Sequence, residues 1–130
     1  MSIYQGNTSD DFLNGCLGLI RTAEYGKDAR AGMANSVQRC YELAKIKVGA
    51  TNVSQAAITE HTNRIRNAYF GEEVRDALRT GLLLCFTARA VSPSSTMTSY
   101  LTKLIDAQTG EDLKNYILMS IVRCCQEVNR

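Results

Sequence analysis

Tryptophan is absent from the 130 residues, and proline and histidine each occur once. A single proline argues for long uninterrupted helices, because proline breaks a helix interior and punctuates turns. With His61 alone, no Ser-His-Asp or Cys-His arrangement is recognisable, and no P-loop, G-x-G-x-x-G or H-E-x-x-H string occurs. No catalytic residue is assigned, and an enzyme is not expected. No apolar run approaches the roughly 18 residues of a membrane-spanning helix. The opening MSIYQGNTSDDF lacks the basic-then-apolar order of a signal peptide, so the expected setting is cytoplasmic with no membrane partner. An excess of one charge is missing too. Fifteen basic and 13 acidic residues leave a net charge of +2, less basic than a dedicated nucleic-acid-binding domain, so nucleic acid is not an expected partner.

What is present fits one globular domain spanning 1–130: 45% hydrophobic and 22% charged residues. Five cysteines, an odd number without an export signal, read as free thiols in a reducing compartment.

The chain repeats itself. Residues 20–41, IRTAEYGKDARAGMANSVQRCY, match residues 65–86, IRNAYFGEEVRDALRTGLLLCF, at one offset of 45. Residues 105–125, IDAQTGEDLKNYILMSIVRCC, form a degenerate third copy, offset by 39 from the second after its glycine. After each glycine the apolar residues step by 4, 4, 3 and 1: Ala29, Met33, Val37, Cys40 and Tyr41; Val74, Leu78, Leu82, Cys85 and Phe86; Leu113, Ile117, Ile121, Cys124 and Cys125. That is one stripe of an α-helix. Acids follow each glycine at once (Asp28; Glu72 and Glu73; Glu111 and Asp112), as suits a helix N-terminus. Before each glycine a shorter helix is expected. One is capped by Ser9 and carries Phe12, Leu13, Cys16, Leu17 and Ile20. The next is capped by Asn52 or Ser54 and carries Ala57, Ile58, His61 and Ile65. The last is capped by Ser94 or Ser95 and carries Met97, Leu101 and Leu104. The expectation is all-α: three αα-hairpins, about six helices, over approximately 9–48, 52–91 and 94–130. An array this short has open apolar ends, so a homo-oligomer is expected.

Two readings of the motif residues stand side by side. Arg21 and Arg66 precede their turns, and Arg30, Arg75 and Lys114 lie in the first turns of the long helices. They can clamp the turn, reaching carboxylates such as Asp28 or Glu73, or the free carbonyls that end the short helix. Alternatively they bind an anion with the helix N-terminus and the flexible Gly26 and Gly71, while Tyr25 and Phe70 stack a base. Cys40, Cys85 and Cys124 fall on the buried stripe as small hydrophobes. Without close C-x-x-C pairs no metal site and no cofactor are expected.

Ile20, Arg21, Ala23, Tyr25, Gly26, Lys27, Asp28, Arg30 and Cys40 form a string that resembles a helical motif, I-R-x-A-x-Y-G-[KR]-[DE]-V-R. So do Ile65, Arg66, Ala68, Gly71, Glu73, Val74, Arg75 and Cys85. The motif belongs to tail and baseplate proteins of phages that infect Gram-positive gut bacteria. There the segment commonly stands once, ahead of a large β-rich part; here it is repeated. The resemblance implies a phage protein but transfers no catalytic residue. A small soluble phage protein of this kind is expected to be host-directed. It would work in the host cytoplasm as a non-enzymatic antagonist of anti-phage defence, binding an effector or sequestering a nucleotide signal. The alternative is a virion assembly module packing between phage tail proteins.

Overall fold

The computed structural model describes residues 3–24, 26–69, 71–108 and 110–130, so Tyr25 and Phe70 lie outside the described residues. Six helices carry the chain, with no strand among the described residues: α1 (Asp11–Thr22), α2 (Lys27–Val48), α3 (Gln55–Asn67), α4 (Glu72–Arg89), α5 (Ser95–Asp106) and α6 (Glu111–Val128). The short helices start on side-chain caps. Ser54 accepts from the Ala57 amide and Ser94 from the Met97 amide, both at 3.1 Å. In the first repeat the cap is Asp10, not Ser9, accepting from the Leu13 amide at 2.9 Å. The long helices start on Gly26, Gly71 and Gly110 with no side-chain cap; acids fill their first turns instead. At Gly71 and Gly110 the backbone takes φ of +118° and +84°, where a side chain would be strained.

The expected apolar stripes are the core. Every stripe residue of α2, α4 and α6 named above is buried, as are Leu13, Leu17, Ile20, Ile58, Ile65, Met97, Leu101 and Leu104 on the short helices. Phe12 is a correction: it is 61% exposed, on the solvent side of α1. His61 is half-buried, its Nδ1 2.8 Å from the Ala57 carbonyl one turn back.

The long helices α2, α4 and α6 pack on one another around the centre. Each short helix lies outside, against its own long helix and the preceding one: α3 on α4 and α2, α5 on α6 and α4, α1 on α2 and α6. The last of these joins closes the array into a ring with approximate threefold symmetry. The expectation of open ends therefore fails among the described residues, because α6 supplies to α1 the face that α2 supplies to α3.

Candidate functional site: the joints between repeats

Three equivalent joints follow from this topology: α6/α1, α2/α3 and α4/α5. The second motif cation of each repeat sits at one of them. Arg30 on α2 donates from Nε to the Arg66 carbonyl ending α3, at 3.0 Å. Arg75 on α4 donates to the Ile105 carbonyl near the end of α5, at 3.4 Å. Lys114 on α6 donates to the Arg21 and Ala23 carbonyls ending α1, at 3.2 and 2.9 Å. The carbonyls ending an α-helix lack intrahelical partners and carry the negative end of its dipole, so a cation there is favourable. The cyclic order runs from repeat one to two, two to three, and three to one. Neither Asp28 nor Glu73 forms an ion pair with these cations among the described residues.

The cations preceding the turns do different work in each repeat. Arg66 reaches back to Asn35 on α2, at 2.8 Å. Arg21 instead holds the N-terminal segment. Its Nε donates to the Tyr4 carbonyl at 2.8 Å, and its two terminal nitrogens go to the Gly6 carbonyl and to Asn7. Asn14 of α1 fixes the same segment, accepting from the Thr8 amide at 2.8 Å and donating to the Thr8 carbonyl at 3.0 Å. From the other side, Asn115 of α6 accepts from the Tyr4 amide at 2.7 Å. Residues 3–8 thus form an extended strap laid along the α6/α1 joint, with Ile3 and Tyr4 packed against the core.

The other two joints lack a strap. At α2/α3 polar side chains bridge the gap: Arg66 to Asn35, and Gln38 to Gln55 at 3.0 and 2.8 Å. At α4/α5 a groove of about 280 Å³ stays open, with Leu83, Leu101 and Ile105 as its apolar surface and Arg79, Thr98 and Thr102 beside them.

The thiols are inside. Cys85 donates to the Val37 carbonyl across the α2/α4 contact at 3.5 Å, and Cys124 to the Leu82 carbonyl across the α4/α6 contact at 3.8 Å. Burial pushes the Cys124 thiol well up, aided by its hydrogen bonds with Cys40 and Cys85. Burial raises Cys16 as well, and takes Cys125 up to about 12. The bond with Cys124 pulls Cys85 down, but burial and neighbouring Cys40 leave it raised. These are poor nucleophiles, because the thiolate is the reactive form. Among the described residues no group of three His, Cys, Asp or Glu is placed to hold a metal ion. No helix among them is long and apolar enough to cross a membrane.

The strap and the groove were not singled out in the sequence, yet a signal was there. Leu83 and Leu84 exceed what the α4 stripe needs and stand where the first copy has Gln38 and Arg39. Ile105 stands where the other copies have Arg21 and Arg66. The α4/α5 joint is thus apolar at Leu83 and Leu84 where the α2/α3 joint is polar, and at Ile105 where both other joints carry an arginine. No family model, no curated protein and no solved structure matches the chain.

Proposed function

We propose that this is a small non-catalytic binding protein of phage origin, acting in the host cytoplasm by stoichiometric association with a host defence protein. One observation carries the choice of a protein over a nucleotide as partner. Arg30, Arg75 and Lys114, the cations best placed beside the glycine turns to meet phosphate, already donate to helix-ending carbonyls. The surface also offers large apolar side chains of the kind proteins recognise: Ile46, Tyr69 and Phe12 are 71%, 82% and 61% exposed. The raised thiols favour binding over covalent chemistry. Phage origin rests on the repeated motif alone.

Native mass spectrometry of the protein purified from host cells with nucleotide-signalling defences active tests this reading. The expected result is the bare chain, or the chain bound to a second polypeptide. A discrete adduct of a few hundred daltons per site would replace the protein partner with a sequestered signal. Recovery of the chain in purified virions, and not in the cytoplasm, would move the role to tail or baseplate assembly.

A further inference from the structure

The α4/α5 groove and the strap-filled α6/α1 joint are the same place in two repeats. By the offset of 39, Leu83 and Arg79 on α4 correspond to Val122 and Leu118 on α6. By their shared position on the short-helix stripe, Thr98 and Ile105 on α5 correspond to Asn14 and Arg21 on α1. At the strapped joint Val122 and Leu118 are buried, and the extended strap runs between the helices. At the open joint Leu83 is only half-buried. The hydrogen-bonding state differs in the same sense. At the strapped joint Arg21 spends its Nε on a strap carbonyl. At the open one Arg79, which lines the groove, bonds Asp76 through a terminal nitrogen at 3.0 Å, and its Nε is buried with no acceptor among the described residues. A buried donor without a partner costs about 1–3 kcal/mol, so an acceptor supplied from outside is favoured there.

We infer that the α4/α5 groove is a docking site for an extended peptide segment of a partner protein, one that sets an apolar side chain on Leu83, Leu101 and Ile105 and offers a backbone carbonyl to Arg79. The fold itself shows the place being used, since it lays its own residues 3–8 along the equivalent joint, held there by Arg21, Asn14 and Asn115. The replacement of Asn14 and Arg21 by Thr98 and Ile105 shifts the preference from polar side chains toward apolar ones. A volume of about 280 Å³ takes one or two large side chains, not a folded domain. The inference rests on the protein-binding reading above and gives it a location.

The test is selection of displayed random 12-residue peptides on the full-length protein, with parallel panels on Thr102→Arg and Ile105→Lys. Thr102 is exposed and its hydroxyl bonds only the Thr98 carbonyl within its own helix, so Thr102→Arg fills the groove without disturbing the core. Circular dichroism verifies that each panel is folded. The expected result is enrichment of peptides with one or two large apolar residues, whose affinity for Thr102→Arg and for Ile105→Lys drops at least tenfold. Peptides that bind both forms equally, or no enrichment on the wild type, would overturn the groove as the docking site. A full-length partner that binds Thr102→Arg undiminished would also remove the groove while leaving the binding role in place.

Discussion

Lys114→Met tests the clamp that closes the ring. Methionine keeps most of the apolar stem and removes only the ammonium. Lys114 donates to two carbonyls at the end of α1, from a half-buried position. Hydrogen bonds from a charged donor contribute roughly 1.5–3 kcal/mol, and a cation at a helix C-terminus about 0.3–1 kcal/mol more. The two bonds share one ammonium, so they do not add in full, and the expected loss is about 2–3 kcal/mol. For a domain of this length that corresponds to a fall in Tm of about 7–11 °C. Thermal unfolding followed by circular dichroism, with a urea series to check that the slope is unchanged, reads the effect. A fall below about 2 °C would refute the clamp. If wild-type Tm also rose with added phosphate, and this rise vanished in Lys114→Met, the residue would be an anion ligand instead.

Three further outcomes follow from local geometry. Ala90 ends α4 in the left-handed conformation, φ +62°, so Ala90→Gly should stabilise by about 0.5–1 kcal/mol, read as an upward shift in urea midpoint. Gly32 lies where α2 meets α1, and an added Cβ would stand 2.8 Å from Ile20 Cγ1 and 3.2 Å from the Cys16 carbonyl oxygen. Gly32→Ala should therefore cost about 1–3 kcal/mol, despite alanine's better helix propensity; an increase in stability would contradict the close α1–α2 approach. The Arg39 guanidinium beside Asp10 holds its carboxyl below the usual range. Glu127 is also lowered, because bonds from Ser94 and Arg123 outweigh the opposing effect of burial. The unfolded chain takes up protons at both sites first as pH falls, so their contribution is full above roughly pH 4–5 and is lost through the folded-state values below that. Urea midpoints from pH 6 to 2.5 should decline for wild type and decline less steeply for Asp10→Asn.

Periodicity made the core legible, since buried stripes obey a helical step whatever they pack against. The glycine turns were legible for the same local reason, and so were the second and third caps to within a pair of candidates each, of which Ser54 and Ser94 are the ones used. Ser9 and Phe12 were misplaced: Asp10, one residue later, caps α1 and is held by Arg39 from α2, a contact no local pattern contains, and Phe12 lies on the solvent side of α1. Ring closure was illegible because three hairpins with identical stripes can stack openly or close. What decides is whether α6 fits α1, a match between residues more than 90 apart in sequence. One of the two readings set the motif cations at carbonyls ending the short helix of their own turn; Arg30, Arg75 and Lys114 bind such carbonyls, but on the next repeat around the ring, while Arg21 and Arg66 do not.

The motif cations close a ring of three hairpins. A nuclear Overhauser measurement between the Lys114 side-chain methylene protons and the Ala23 methyl protons reads that closure. The ring predicts a cross-peak, retained on dilution and therefore within one chain, because the ammonium lies 2.9 Å from the Ala23 carbonyl. Its absence, or its loss on dilution, would mean that α1 and α6 do not meet within one molecule, and the closed ring would be wrong.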